Sequence, residues 1–209
     1  MHFLSSKIEF PDVSEATPDG LLAIGGDLSP ERLLCAYSNG IFPWFDESEP
    51  VLWWSPDPRF VIFPHELKVS KSMKQVLRSN KFKITQNQAF EKVINACATV
   101  VRKNQKGTWI TKSMSYAYVH LHEMGLAKSV EVWQDRELVG GLYGISLYNK
   151  IFCGESMFSK VSNASKAGFM TFVQHSNYKL IDCQLHTPHL ESLGGRHIPR
   201  TEFMNYLKF

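Results

Sequence analysis

The sequence predicts an α/β protein, in which a mixed sheet flanked by helices follows a small N-terminal α+β domain. From Val69 onward, helical and strand-like hydrophobic periodicities alternate along the chain. Strand-like runs follow one another between residues 129 and 156 and are joined by turn signals. Before Pro64 the chain is irregular and rich in proline and aromatic residues. We therefore expect a boundary near Pro64, with domains over residues 1–64 and 65–209.

The N-terminal part contains one clear helix signal. Ser29 is a suitable N-cap, Pro30 suits the first turn, and Gly40 ends the helical pattern. A tight turn at Gly25 and Gly26 precedes this helix, but neither G-x-G-x-x-G nor a following G-K-[ST] is present. The turn is therefore not predicted to be a phosphate-binding loop.

After the boundary the predicted elements form a regular series. A helix over residues 70–79, the strand FKIT, a helix capped by Asn87 and a helix from Thr111 to Gly125 come first. The strands SVEVWQ, ELVGGLYGIS and KIFCGES follow. A helix over 163–176, the strand KLIDCQ, a short helical piece over 189–193 and a last helix from Thr201 complete the series. This order resembles the GNAT-like acetyltransferase fold, a mixed sheet flanked by helices.

One segment departs from the chemistry that is usual for that fold. Acetyl-CoA enzymes of this type hold the pyrophosphate in a Gly-rich turn, typically Q/R-x-x-G-x-G/A, between the fourth strand and the next helix. The corresponding segment here, FSKVSNASKAG, lacks this turn, so backbone amides cannot close on a pyrophosphate in that way. The sequence therefore indicates an acyl donor other than acetyl-CoA.

Composition argues against several classes of protein. No stretch approaches the ~18 uncharged apolar residues of a membrane span, and the N-terminus lacks a basic region followed by an apolar run. We therefore expect a soluble, cytoplasmic protein with no membrane partner. The cysteines lie far apart without a C-x-x-C pair, which favours buried thiols over disulfides or metal ligands: Cys35, Cys97, Cys153 and Cys183.

Basic residues are concentrated in one segment, although the net charge of +3 is too small to indicate a nucleic-acid partner by itself. Residues 66–83 carry many lysines and arginines against a single acid, Glu66. On a helix that starts near Ser70, Lys71, Lys74 and Arg78 share one face. Two interpretations are open, a solvated helix face and a track for phosphates.

Aromatic residues are concentrated in a second segment, GIFPWFDESEPVLWWSPDPRF, over residues 40–60. Its prolines are too frequent for a continuous helix, so we expect an ordered loop. Such a loop is either a binding surface or a small core that joins two parts of the chain.

Several longer runs, taken together, carry a family resemblance. They are GLLAIGGDLSPERLLCAYSNGIFPWF, LWWSPDPR, GTWIT, ELVGGLYG, FCGESMFS, NASK, KLIDCQ and HLESLGG. In this order, over nearly the whole chain, they resemble the leucyl/phenylalanyl-tRNA protein transferase family. The resemblance implies an enzyme that moves Leu or Phe from charged tRNA to the N-terminal Arg or Lys of acceptor proteins. The flexible apolar pocket extends the expected donors to Met, and we expect a monomer. That transfer marks the acceptors for N-end-rule degradation, and it needs no cofactor and no metal because an aminoacyl ester is already activated.

The resemblance implies a catalytic set of Asp182, Gln184 and Glu155. Strand alternation in KLIDCQ puts Asp182 and Gln184 on one face, where Asp182 orients and polarises Gln184, whose amide oxygen accepts from the attacking amine. Glu155, among apolar neighbours, needs a cationic partner: the acceptor's N-terminal side chain or the donor's α-amine. The alternatives are a helix-capping role for Asp182 and a structural salt bridge for Glu155. A metal site at His186, His189 and Glu191 lacks supporting ligand spacing.

The resemblance also implies binding residues. The aminoacyl pocket is predicted from Phe152, Met157, Phe172 and Ile181. The tRNA 3′-adenosine is predicted to stack on Trp44, with Tyr37, Trp109 and Tyr118 as further contacts, while Trp53 and Trp54 join the two parts of the chain. Lys71, Lys74 and Arg78 are assigned to the tRNA backbone.

Two rival functions are kept open. An N-acetyltransferase with an unusual CoA site is the first, and the missing Gly-rich turn argues against it. A non-catalytic RNA-binding module that uses the basic helix and the aromatic segment is the second. It leaves Asp182, Gln184 and Glu155 without an explanation.

Overall fold

The computed structural model describes residues 2–100 and 109–208 of the chain. Its helices are α1 (Pro30–Ser38), α2 (Lys71–Arg78), α3 (Phe90–Thr99), α4 (Lys112–Glu123), α5 (Ala164–His175), α6 (Pro188–Ser192) and α7 (Arg200–Leu207). A small sheet with the order β1-β2-β4-β3 contains β1 (His2–Leu4), β2 (Leu21–Gly25), β3 (Phe42–Pro43) and β4 (Leu52–Trp54). A larger sheet, with the order β11-β5-β10-β9-β8-β7-β6, contains β5 (Arg59–Ile62), β6 (Lys83–Gln86), β7 (Ala127–Gln134), β8 (Glu137–Ser146), β9 (Ile151–Ser159), β10 (Leu180–Gln184) and β11 (Arg196–Ile198).

The large sheet is mixed and buries apolar side chains on both faces. β9 and β10 are parallel, whereas the other neighbouring strands are antiparallel. α3 and α4 cover one face, together with α1, α7 and the small sheet. α5 and α2 cover the other face. The predicted fold class, a mixed sheet flanked by helices after a small N-terminal sheet and helix, is confirmed.

Three predicted helix starts are confirmed in detail. The hydroxyls of Ser29, Ser70 and Thr111 accept hydrogen bonds from backbone N–H groups in the first turns of α1, α2 and α4. The prediction that Asn87 caps α3 is wrong. Asn87 has a left-handed φ of 58°, and its side-chain oxygen accepts from Ser129 N on β7. The start of α3 instead lies against the buried carboxylate of Glu131, which accepts from Ala89 N.

The aromatic segment contains regular structure, which corrects the expectation of a loop. It forms β3 and β4 and the first residues of β5. Its prolines lie at strand ends or between strands, so their missing backbone N–H groups do not interrupt the hydrogen bonds between strands. β5 lies before the boundary predicted near Pro64, yet it pairs with β10 and β11 in the large sheet. The chain therefore enters the large sheet before that position, and the division into domains stays a prediction.

The parallel pair of β9 and β10 separates part of the way along its length. The last paired residues are Cys153 and Asp182. Beyond them β9 stays paired with β8 as far as Ser159, whereas β10 has a register shift before Gln184, whose φ is 63°. The two strands diverge after Asp182, and this divergence positions the candidate site.

Candidate active site

A cavity of about 460 Å³ lies where β9 and β10 separate. β9 contributes the residues from Gly154 to Met157, and β10 contributes Ile181, Cys183 and Gln184. α5 and α6 close one side, and residues of the aromatic segment lie at another. The cavity has an apolar wall, a polar wall and an aromatic rim, which are described in turn.

The apolar wall contains three of the four residues predicted for the aminoacyl pocket. Phe152, Met157 and Ile181 line the cavity together with Leu142, Phe169 and Leu190. Phe172, the fourth predicted residue, lies one layer behind the wall and is buried, with its ring centroid 4.7 Å from that of Phe152. The wall therefore offers apolar surface of adaptable shape, because the Met157 thioether is flexible and only half-buried.

The polar wall is centred on the carboxylate of Glu155. Glu155 Oε1 accepts from Gln184 Nε2 at 2.8 Å, and Oε2 accepts from the Tyr118 hydroxyl at 2.8 Å. Burial raises the pKa of Glu155 to about 7, although hydrogen bonds from Tyr37 and Tyr118 act in the opposite direction. Glu155 can therefore exchange a proton, or change its charge, near neutral pH.

The two tyrosines support this carboxylate from beneath. Their hydroxyls form a short hydrogen bond with each other, and both rings are buried almost completely. Burial, followed by the charge of Glu155, raises both of their pKa values, so both stay protonated donors. Both side chains are buried and neither lines the cavity, and the contact of Tyr37 and Tyr118 with a terminal adenosine stays a prediction.

Asp182 forms a buried ion pair that sequence reasoning missed. Its carboxylate accepts hydrogen bonds from Arg59 Nε at 2.8 Å and from Arg59 Nη2 at 2.7 Å. Both side chains are 1% exposed. Asp182 Oδ1 also accepts from the backbone N–H of Gln184 at 2.9 Å. Asp182 thus contacts Gln184 through the Gln184 backbone, and the predicted role of Asp182 in orienting and polarising Gln184 stays a prediction. The helix-capping alternative fails as well, because Thr187 caps α6.

The amide of Gln184 is oriented by these contacts. Its Nε2 donates to Glu155, so Oε1 remains as the acceptor of the side chain. In the part of the chain that the structure describes, Oε1 has no hydrogen-bond partner. Because Gln184 lines the cavity, this oxygen is available to a bound amine.

The tryptophans of the aromatic segment have different environments. Trp44 is 41% exposed and lines the cavity, and the half-buried Trp109 lines it too. Trp53 is fully buried, and its Nε1 donates to Gly25 O at 2.8 Å. Trp54 Nε1 donates to Trp44 O at 2.7 Å, which fixes the backbone beneath the exposed ring. The segment therefore supplies both a core and an exposed surface.

The basic residues of α2 lie away from the cavity lining. Lys71, Lys74 and Arg78 are exposed, while Met73 on the opposite side of the helix is buried. None of the three forms an ion pair with any residue that the structure describes. Lys74 and Arg78 line a shallow cavity of about 370 Å³ together with Gln174 of α5.

Residues 2–100 and 109–208 contain neither a metal-binding cluster nor a membrane-spanning helix. No group of three His, Cys, Asp or Glu side chains there could hold a metal ion. His186 and Glu191 form a pair at 3.0 Å, whereas His189 lines the cavity. None of the helices within these ranges combines the length and the apolar character that a membrane span requires.

Comparison with known proteins identifies close relatives. The family model described as "Leucyl/phenylalanyl-tRNA protein transferase" matches residues 61–208, and the model of its N-terminal domain matches residues 26–57. The chain is 58% identical to a leucyl/phenylalanyl-tRNA protein transferase from Flavobacterium johnsoniae, over 100% of this chain and 99% of that protein. It is 56% identical to the protein of the same name from Flavobacterium psychrophilum, over 100% of both chains. A solved GCN5-related N-acetyltransferase-like protein from Streptococcus suis matches with a TM-score of 0.40 and 10% identity, over 78% of this chain and 61% of that one.

Proposed function

This chain belongs to the leucyl/phenylalanyl-tRNA protein transferase family, and we propose that it transfers Leu or Phe, and also Met, from charged tRNA to the N-terminal Arg or Lys of acceptor proteins. One observation carries the proposal: a single cavity has an apolar wall that suits the donor side chain and a hydrogen-bonded polar wall that suits an attacking amine. The modified proteins are thereby marked for N-end-rule degradation in the cytoplasm.

The donor contacts the cavity at two places, through its amino-acid side chain and through the 3′-terminal adenine of its tRNA. Phe152, Met157 and Ile181 contact the Leu or Phe side chain. The exposed ring of Trp44 stacks on the 3′-terminal adenine, and each such stack is typically worth ~1 to 3 kcal/mol without sequence readout. The ester that joins these two groups then lies beside Glu155 and Gln184.

The transfer step forms one bond and breaks one bond. The acceptor α-amine attacks the ester carbonyl, the new C–N bond forms, and the bond to the ribose oxygen breaks. The amine loses a proton, and the departing ribose oxygen gains one. Because a free α-amine has a pKa of about 8, an appreciable fraction is neutral at pH 7 and only a weak base is needed.

The polar wall orients the amine and balances charge in this step. Gln184 Oε1 accepts a hydrogen bond from the amine as positive charge develops on it. The ionised carboxylate of Glu155 holds the amide in this orientation and attracts either the cationic side chain of the acceptor's N-terminal residue or the α-amine of the donor. Its pKa of about 7 suits transient proton exchange. Asp182 acts indirectly, because its carboxylate accepts from the backbone N–H of Gln184 and so holds that residue in place.

The face formed by Lys71, Lys74 and Arg78 binds the tRNA backbone. Their exposure and freedom from ion pairs within the described ranges support this role. Replacing all three with Gln should weaken the binding of every charged tRNA alike and flatten the salt dependence by about one unit of slope per lost phosphate contact. Lys92→Gln, at an exposed lysine of α3, is the control. An unchanged salt slope would show that this face is a solvated surface that does not contact the tRNA backbone.

Product formation tests the proposal directly. The protein is mixed with leucyl-tRNA and a peptide that begins with Arg, and the peptide mass is expected to rise by one leucyl residue. A matched peptide that begins with Ala should stay unmodified. Labelled acetyl-CoA replaces leucyl-tRNA in a parallel reaction. Acetylation there would favour an acetyltransferase, and tRNA binding without any peptide product would favour the non-catalytic RNA-binding module.

A further inference from the structure

Arg59 connects the polar wall to three parts of the fold. It lies on β5, and its two nitrogens Nε and Nη2 bind the two oxygens of Asp182 on the neighbouring strand β10. Its guanidinium carbon also lies 4.7 Å from the ring centroid of Phe42 and 4.8 Å from that of Phe203. Phe42 belongs to the small sheet and lines the cavity, and Phe203 belongs to α7. The guanidinium plane is therefore held by contacts on several sides.

This arrangement fixes the plane of one carboxylate. A bidentate pair between a guanidinium and a carboxylate sets the orientation of both planar groups, which a single point charge does not. Asp182 Oδ1, fixed in this way, accepts from Gln184 N at 2.9 Å. Gln184 has a φ of 63° at the register shift of β10, where its backbone N–H leaves the regular strand pairing.

The contacts then continue to the cavity. Gln184 Nε2 donates to Glu155 at 2.8 Å, and both side chains line the cavity, whereas Arg59 and Asp182 do not. We infer that Arg59 is a positioning residue for aminoacyl transfer, which fixes the Gln184 amide through Asp182 without touching a substrate. The inference rests on the proposed function of the same cavity.

A purely structural role would have different consequences. Buried ion pairs can often be replaced by apolar side chains of similar volume without loss of stability, so the burial of this pair is not by itself evidence of a role in the fold. A pair that serves only the fold would change the amount of folded protein and leave the turnover of each folded molecule unchanged. A positioning pair changes the turnover itself, and tRNA binding stays constant.

The experiment is a double-mutant cycle on the full chain. The variants are Arg59→Lys, Arg59→Met, Asp182→Asn and the double variant Arg59→Met/Asp182→Asn, which leaves no unpaired buried charge. Arg196→Met is the matched control, because Arg196 also pairs with a carboxylate, Glu66 at 2.9 Å, and stacks on a ring, Phe63 at 4.5 Å, but lies outside the cavity lining. Thermal unfolding, binding of leucyl-tRNA and kcat for transfer to the Arg peptide are measured for each variant.

We expect Arg59→Lys to fold and to lower kcat by about tenfold or more, with the Kd for leucyl-tRNA within about threefold of the wild type. The double variant should match the kcat of Asp182→Asn, because a residue that acts only through Asp182 adds nothing once Asp182 is changed. Wild-type kcat in folded Arg59→Lys, or multiplicative effects in the cycle, would overturn the inference. If Arg59→Met fails to fold, Arg59→Lys and the double variant decide. Failure of the wild type and of Arg196→Met to form product would instead refute the proposed function, and this inference with it.

Discussion

The apolar and polar walls of the cavity are held in place by different kinds of contact. The apolar wall consists of side chains that contact one another without directional bonds, backed by Phe172 in the second layer. In the polar wall, hydrogen bonds of 2.8 Å join Glu155 to Gln184 and to the hydroxyl of Tyr118, which lies beneath the wall. Apolar contacts are non-directional and can readjust around a flexible side chain such as Met157, whereas a buried hydrogen bond that loses one partner leaves the other unsatisfied.

Under the proposed function, this difference would separate donor recognition from the transfer reaction within one cavity. The flexible Met157 lets the apolar wall accept side chains of different shape, which suits a donor that is Leu in one reaction and Phe in another. The polar wall must hold an amine at one angle to a carbonyl, and geometry of that kind depends on fixed groups. Changes in the polar wall should therefore lower kcat, and changes in the apolar wall should alter the choice between donors.

The largest effect is expected from Gln184→Met, which keeps the length of the side chain and removes its amide. Loss of one oriented polar group at a reacting centre costs about 10²- to 10³-fold in kcat, and we expect a fall in this range. Binding of leucyl-tRNA should stay within about threefold, because the amide acts on the attacking amine. Single-turnover transfer to the Arg peptide measures the first quantity, and filter binding measures the second. A folded variant with wild-type turnover would remove Gln184 from the reaction.

The next effect concerns the rim that the two walls share. Trp44→Ala should raise the KM for leucyl-tRNA by about 5- to 150-fold, since one base–aromatic stack is worth ~1 to 3 kcal/mol. The fall in kcat should be smaller, because the polar wall is intact. Tyr148→Ala removes another exposed ring, 86% exposed and outside the cavity lining, and should change neither constant. Equal losses in both variants would point to a general effect of exposed aromatic residues.

Local signals in the sequence predicted much of the fold. The caps at Ser29, Ser70 and Thr111 depend on side chains within three residues of the groups they bind, so they could be recognised without tertiary information. Asn87 shows where such signals fail. Its side-chain oxygen accepts from the backbone N–H of Ser129, 42 residues away. The carboxylate of Glu131 instead accepts from Ala89 N at the start of α3. A tertiary contact overrode a local preference there.

The candidate site shows the same limit more strongly. The family resemblance pointed to Glu155, Gln184 and the apolar residues that the cavity brings together. The Arg59–Asp182 pair joins residues 123 positions apart, and the Tyr37–Tyr118 pair joins residues 81 apart, so no local pattern could reveal either. Simple strand alternation also failed at Gln184, because the register shift in β10 redirects its backbone.

A tenfold effect is expected from pH, and it tests whether the polar wall acts as a charged group. With a pKa of about 7, Glu155 is ionised to roughly a tenth at pH 6 and to roughly nine tenths at pH 8. If the ionised form is the active one, transfer rises with pH over this range. The acceptor α-amine also becomes more reactive, so the ratio of wild-type rate to Glu155→Gln rate isolates the carboxyl and should grow by about tenfold between pH 6 and pH 8. A constant ratio would show that the charge of Glu155 does not contribute.

The smallest effect is expected in the apolar wall, and it concerns the choice between donors. Met157→Ala enlarges the cavity, and the smaller Leu side chain then fills it less well than Phe does. Differences on the scale of a methyl group in such a pocket are worth about 1 to 3 kcal/mol, or roughly 10- to 200-fold. Both donors lose contact with the shortened side chain, so only part of this difference separates them, and the preference for Leu over Phe should fall by less than about tenfold while the chemistry stays intact. Met170→Ala is the matched control, because Met170 is buried in the same apolar cluster but does not line the cavity. That variant should lose stability and keep the wild-type preference.

The same wall should reject donors that branch at Cβ. Ile and Val place a branch next to the ester. Under the proposed function the aminoacyl group is held there between the adenine stacked on Trp44 and the polar wall, so we expect that the flexible Met157 cannot make room for the branch. Leu, Met and Phe branch further out, or not at all, within reach of the adaptable wall. Transfer is measured from five tRNAs that share one body and carry Leu, Phe, Met, Ile or Val. If the rates follow the amino acid in the order expected from branching, the apolar wall makes the choice. Equal rates from all five would place donor selection in the tRNA body and would contradict the proposal that the apolar wall selects the donor amino acid.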